Sequence, residues 1–306
     1  MRKLIWRRMG RNLLVILGVS LFTFLLVHLS GDPTNLMLPM DATPEQVAAF
    51  RSAMGYDAPL WQQYFTFLRR ALMGDFGTSL RHQQPALRLV LDRLPATLEL
   101  TGASLAVSLV IAIPLGVLTA HKRNSWLDHI GSVCALLGQS MPVFWLALMM
   151  QLVFGLLLSL FPITGHGSIA YLILPACTLG IYSTATTMRV LRSHMTEVLQ
   201  QDYMRTAEAK GLPSRLVIWK HALRNALLPV ITVVGLQLGT LLGGAVIAEN
   251  IFAWPGVGRL LVQAIYNRDL PLVQAGVFVL AVGIVLINLI TDLLYTWADP
   301  RIRLDG

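Results

Sequence analysis

The chain has 306 residues, 55% of them hydrophobic and only 13% charged, with a formal net charge of +8 and a pI near 9.9. About a quarter of the residues of a soluble domain are charged, so this composition excludes an ordinary water-soluble domain and points to a polytopic membrane protein. The positive charges flank apolar runs and lack a polar surface with aromatic or hydrogen-bonding readers beside them, which argues against a nucleic-acid binder.

Apolar runs fall at 12–30, 97–119, 130–160, 169–191, 227–249 and 273–297. Each is long enough to cross a bilayer as a helix, so the reading is all-α with six transmembrane helices. A basic stretch precedes the first run, as in a cleavable signal peptide. Its core runs past the usual length and ends in Ser30-Gly31-Asp32-Pro33 in place of a small-x-small site, so it is read as a retained anchor. In the stretch 31–95, Thr43-Pro44-Glu45-Gln46 has the form of a capping box with proline at the first helical position. Gly55 is the expected stop, and a second helix is expected after Asp57, through Trp61, Tyr64, Phe65 and Leu68 toward Gly74. This segment is either a solvated cover on the outer mouth or a surface that meets a soluble partner or gates entry. The third run is long enough to be kinked, and Pro142 supplies the cause.

Charge fixes the orientation, because short-loop Lys and Arg mark the cytoplasmic side. Arg2, Lys3, Arg7, Arg8 and Arg11 precede the first run, and Lys122 and Arg123 lie between the second and third. Arg189, Arg192, Arg205, Lys210, Arg215, Lys220 and Arg224 lie between the fourth and fifth, and Arg301 and Arg303 end the chain. Together they put sixteen of the 24 basic residues on one face. The opposite short loops hold only Arg259 and Arg268. Both termini are therefore expected in the cytoplasm.

Buried carboxylates, His or Lys at a membrane centre would mark an ion-coupled carrier. Glu99, Glu249 and Asp292 all sit near span ends, so that reading has little support. The seven histidines are scattered, with no H-E-x-x-H, and no G-x-x-x-x-G-K-[ST] loop is present to hold nucleotide phosphates. Neither a catalytic constellation nor a metal site emerges; if the chain transports against a gradient, the energy must come from another subunit. Cys134 and Cys177 read as small buried hydrophobes. Gly235, Gly239 and Gly243 form a small-residue stripe on one helix face. With Pro114, Gly116, Gly138 and Pro142 they mark either plain packing or helices along a moving pathway.

The polar insert Asp202–Pro229 interrupts two apolar runs. A helix is expected through Thr196 and Glu197 up to Lys210, closed by Gly211 in the left-handed position, with Pro213 preventing continuation. Ser214 is the expected N-cap of a second short helix holding Val217, Ile218, Trp219 and Leu223. Ala207 and Ala209 leave room for a partner backbone, and Arg205, Glu208 and Lys210 supply polar grip. The competing reading is a basic hairpin lying on anionic lipid.

Several segments taken jointly carry a resemblance. They are Gly31-Asp32-Pro33, Asp75-Phe76-Gly77-Thr78-Ser79, Leu94-Pro95-Ala96-Thr97-Leu98-Glu99-Leu100 and Ser140-Met141-Pro142-Val143-Phe144-Trp145. Further on come Ile251 through Arg259 in the order IFAWPGVGR, Asn267-Arg268-Asp269, and the tail Asp299-Pro300-Arg301-Ile302-Arg303. Over nearly its full length the chain resembles the permease subunits of binding-protein-dependent ATP-binding-cassette importers, in the dipeptide, oligopeptide and nickel branch. The resemblance implies a type I importer permease fold and maps the family's cytoplasmic coupling loop, the EAA loop, onto 193–226. The coupling residues are then Arg205, Thr206, Ala207, Glu208, Ala209, Lys210 and Gly211. Of the leading E-A-A, which maps to Arg205-Thr206-Ala207, only Ala207 matches.

The implied layout is a cytoplasmic tip and first span at 1–30, an extracytoplasmic helical loop at 31–95, a permease core at 96–300 and a tail at 301–306. The implied partners are a second, homologous permease, two ATPase subunits that bind the ATP and Mg, an extracytoplasmic solute-binding protein and membrane lipid. The chain itself is expected to be non-catalytic and to hold no cofactor. Small peptides, glutathione included, are the expected cargo, with nickel or a metal chelate as the alternative and an ion-driven carrier as a distant one.

Overall fold

The structure, a computed structural model, describes residues 2–29, 43–54 and 57–298, with side chains except at 2–9, 26–29, 50, 53, 54, 208 and 292–298. Among these residues the regular elements are helical, apart from one isolated bridge between Thr78 and Pro85. In chain order the helices are α1 (Arg2–Leu29), α2 (Pro44–Met54), α3 (Leu60–Leu72), α4 (Ala86–His121), α5 (Trp126–Ser140) and α6 (Val143–Leu157). They continue as α7 (Ile169–Leu199), α8 (Asp202–Ala209), α9 (Ser214–Ile251), α10 (Val257–Tyr266) and α11 (Leu270–Ala298).

Helices α4, α7, α9 and α11 are each long and apolar enough to cross a membrane. The first expected span falls in α1, whose stretch Gly10–Leu25 is apolar. The third expected span is sharper than a kink: α5 and α6 meet at 103°. Pro142 stands as the N-cap of α6 and forces Met141 into extended backbone (φ −78°, ψ 131°), so the helix ends at Ser140 and starts afresh. Two spans begin well before their apolar runs. The helix α4 starts at Ala86 and passes through Pro95, and α9 starts at Ser214. The polar residues ahead of each apolar run are helical too, though hydropathy does not register them.

The chain divides into two compact units. The first comprises 1–95 and 256–285. Thr43 and Gln46 form the expected reciprocal cap: Thr43 N–H donates to Gln46 Oε1 (3.0 Å) and Gln46 N–H to Thr43 Oγ1 (3.4 Å). Gly55, Gly31-Asp32-Pro33 and the tail 301–306 lie outside the described residues. The expected second outer helix is α3, closed near Gly74, whose φ is +77°. A train of rings runs from Phe24 to Phe67, Phe76 and Phe278, each 5.3–6.3 Å from the next. Asp269, buried at 1% exposure, accepts the Ser79 hydroxyl and the Leu272 N–H (3.4 Å), so it caps α11 while bracing the loop at 75–79. Arg81 Nη1 donates to Asn267 Oδ1 at 2.7 Å beside it.

The second unit comprises 96–255 and 286–306. Leu100, Leu174, Leu179, Leu241, Phe252 and Trp254 form its largest buried cluster. Gln237 joins α9 to α7, donating to the Ser183 carbonyl (2.9 Å) and accepting from Thr187 Oγ1 (3.0 Å). Interhelical hydrogen bonds of this kind contribute about 0.6 kcal/mol each in membranes. On the glycine stripe, Gly235 is approached so closely by Thr291 of α11 that a Cβ has no room, whereas a Cβ at Gly243 meets nothing within 4 Å. At the far end of α9, the fully buried Glu249 accepts from Thr97 Oγ1 at 2.6 Å, and Trp254 Nε1 donates to the Ala96 carbonyl at 2.8 Å. His166 stacks edge-on to Trp254 at 4.5 Å and lies 3.5 Å from Glu99. Both cysteines are free, and neither is buried as expected: Cys134 is exposed and Cys177 half-buried.

Candidate coupling site

The polar insert folds as the end of α7, the short α8, a four-residue turn and the first turns of α9. The expected single helix up to Lys210 is broken: α7 stops at Leu199, and α8 begins at Asp202, an acid placed in the first turn where the helix dipole favours it. Met204 N–H donates to the Gln201 carbonyl at 3.0 Å across the break.

The glycine turn forms as expected. Gly211 has φ +75°, and Leu212 N–H reaches back to the Ala207 carbonyl at 3.4 Å, the six-to-one bond of a Schellman cap. A Cβ at Gly211 meets nothing within 4 Å, so backbone conformation and not space calls for glycine here. Ser214 differs from its expected role. Pro213 occupies the N-cap position without a side-chain cap, and Ser214 opens α9, which continues through a π-helical stretch, Val217–Ala222, into the span itself. The second short helix is therefore the leading end of a transmembrane helix.

Sequence reasoning missed what holds this hairpin. Met204 is 1% exposed and enters a core with Val117, Leu191, Met195, Val217 and Ala226, so α8 is pinned to α4, α7 and α9. Asn225 Nδ2 donates to the Tyr203 hydroxyl at 3.0 Å, a second tie. A third missed feature lies on α7. Arg192 grips Asp128 at the start of α5 with two parallel bonds, both 2.7 Å, and Asn124 N–H donates to the same carboxylate at 3.0 Å. The signal was present in Ser125-x-x-Asp128: the Ser125 hydroxyl caps α5 by accepting from Asp128 N–H at 3.4 Å.

The predicted site residues separate into two faces. Arg205, Thr206, Ala209, Lys210 and Gly211 are exposed, while Ala207 is half-buried and packs on the core. Arg205 lies 3.8 Å from Asp202, and the Thr206 hydroxyl donates back to the Asp202 carbonyl at 3.0 Å. The Glu208 side chain lies outside the described set. Next to this face, Pro213, Arg215, Leu216, Trp219 and Lys220 line an open pocket of about 420 Å³. Among the described residues, nothing in this arrangement pairs a nucleophile with a base. It offers a rigid, basic, partly apolar surface, suited to binding another protein.

Taken together, four helices long and apolar enough to cross a membrane, a bent apolar pair and an anchored polar hairpin define a membrane protein with a built polar contact surface. Residues 112–304 match the family of binding-protein-dependent transport system inner membrane components, and residues 1–101 match the N-terminal part of binding-protein-dependent transport system membrane components. The chain is 41% identical to the dipeptide transport system permease protein DppB of Alkalihalophilus pseudofirmus, over 97% of this chain and 98% of that one. It is also 41% identical to the glutathione transport system permease protein GsiC of Pectobacterium atrosepticum, over 94% of both. The fold resembles that of the MetNI methionine ABC transporter in inward-facing form, with a TM-score of 0.59 at 22% identity over 69% of this chain and 96% of that chain.

The chain belongs to the binding-protein-dependent family of ABC importer permeases. It is the non-catalytic, multi-pass membrane component of an ATP-driven importer, and it works with an ATPase and a solute-binding protein.

Proposed function

We propose that this chain forms one half of the translocation pathway of an importer for small peptides in the bacterial cytoplasmic membrane, paired with a homologous permease. Two ATPase subunits dock below, and an extracytoplasmic solute-binding protein delivers cargo from above. Both termini face the cytoplasm, 31–95 faces outward, and lipid surrounds the core at 96–300. The coupling contact is the exposed face of α8 and its turn: Arg205, Thr206, Ala209, Lys210 and Gly211, with Ala207 and Glu208 in the same helix. The observation that carries the peptide class is the match to dipeptide and glutathione permeases along nearly the whole chain.

The test is uptake of a radiolabelled dipeptide into proteoliposomes holding the full complex. Accumulation is expected only with ATP on the ATPase side and binding protein on the other, with competition by unlabelled dipeptides and none by nickel ions. Uptake by the purified chain alone under an ion gradient overturns the coupled reading. In cells, a cysteine at position 210 is expected to react with an impermeant maleimide only after permeabilisation.

A further inference from the structure

The helix α3 carries an apolar face that neither transport nor coupling accounts for. Trp61, Phe65 and Leu72 are 65%, 61% and 78% exposed. At ~100° per residue they fall within roughly 40° of one another on the helix. Gln62, Thr66, Arg69 and Arg70 occupy the other solvent-facing side, so the helix is divided lengthwise into an apolar and a polar half. An exposed apolar stripe of this kind on an amphipathic helix marks a contact surface.

The depth of α3 decides what that surface meets. Its third side packs on α1: the Tyr64 hydroxyl is 2.9 Å from Ser20 Oγ and donates to the Leu17 carbonyl at 3.4 Å, and the Tyr64 ring sits 5.5 Å from Phe24. Ser20 and Phe24 lie within the apolar stretch Gly10–Leu25. The apolar stretch ends at Leu25, five residues or roughly 8 Å of helix rise beyond Ser20 and one residue beyond Phe24. With α1 crossing the membrane as the sequence reading expects, a helix that packs on its apolar stretch is level with lipid and not above it.

We propose that α3 is seated in the outer leaflet, with Trp61, Phe65 and Leu72 against acyl chains and Arg69 at the phosphates, while Arg70 is held by Asp75 at 3.1 Å. Tryptophan is enriched at that level of the bilayer, and Arg can extend from it to headgroup depth. The amphipathic division is that of a helix lying in the interface plane. Seating in lipid rests on the contact with α1 alone. The choice of leaflet rests on the proposed orientation.

The test places a nitroxide at single cysteines, Phe65→Cys, Leu72→Cys or Gln62→Cys, in an importer with Cys134→Ser and Cys177→Ala. The assembled complex is reconstituted in phosphatidylcholine vesicles containing phosphatidylglycerol, and variants are checked for dipeptide uptake. Labels at 65 and 72 are expected to collide with oxygen several-fold more than with a water-soluble nickel chelate, and the label at 62 to show the reverse. Preference for the nickel chelate at 65 and 72 overturns the proposal. So does shielding from both reagents, which means a covering permease, or shielding only after binding protein is added, which means a soluble partner. If oxygen preference holds but ascorbate reduces the label at 62 from the ATPase side alone, lipid seating survives and the proposed orientation falls.

Discussion

At the scale of single residues, Gly211 is held to glycine by its backbone conformation. Its φ of +75° closes α8, and open space surrounds the missing Cβ. A side chain there is therefore opposed by backbone conformation, at about 1–2 kcal/mol for an ordinary L residue. Asn and Asp visit this region more readily, and β-branched residues least. The expected order of ATP-driven uptake is wild type, then Gly211→Asn, Gly211→Ala and Gly211→Val, with membrane insertion unchanged throughout. Co-purification of the ATPase with each variant reads the same order. Gly211→Asp separates conformation from docking: if it falls well below Gly211→Asn, the added charge is disturbing the partner surface. Equal loss for Asn and Val removes φ as the cause.

At the scale of elements, the hairpin works because other helices hold it still. The pair Asp128–Arg192 ties α5 to α7 only ten residues ahead of α8, through a carboxylate that is 3% exposed. Removing one partner of a buried pair costs about 3–5 kcal/mol. The low end applies here, since Arg192 keeps 32% of its side chain in solvent. Asp128→Ala and Arg192→Ala are each expected to lower the thermal midpoint of the solubilised complex. The double variant is expected to lose clearly less than the two losses added, which a thermal-shift cycle measures. Additive losses mean that the pair does not interact. The cap Ser125-x-x-Asp128 was legible in the sequence, but the pairing was not, because Arg192 stands 64 positions away. What was legible depends on local rules: the reciprocal Thr43–Gln46 cap, the left-handed Gly211, and the break at Pro142 all follow from one to four neighbouring residues. The start of α4 was not legible, because polar residues precede its apolar run. Pro95 imitates a boundary, yet α4 runs through it with Val90 buried in the core; the start at Ser214 was legible to within one residue, but not the continuation of that short helix into the span.

At the scale of the molecule, the continuity of α9 links the coupling face to the far end of the span. One helix runs from Ser214, beside the exposed turn, to Ile251, beside the buried Thr97–Glu249 and Trp254–Ala96 contacts. On the proposed coupling, a push on the hairpin would reach those contacts as movement of a rod, provided that the rod does not yield. Its weak places are the π-helical stretch Val217–Ala222 and the internal Pro229, each of which loosens the backbone ladder. The broken pair α5–α6, by contrast, has a ready-made joint at Met141. Spin labels at Arg215 and Asn250, both exposed, lie 35 residues apart, or about 53 Å at 1.5 Å per residue. In the assembled importer this distance is expected to be the same with and without trapped ATP, within the width of the distribution, while labels at Trp126 and Leu156, on the two arms of the joint, change their separation. A change along α9 that matches or exceeds the change across the α5–α6 joint means that the stroke is absorbed at the π stretch or Pro229. Restoring regular winding there, for instance with Pro229→Ala, is then expected to raise the amount of peptide moved per ATP hydrolysed.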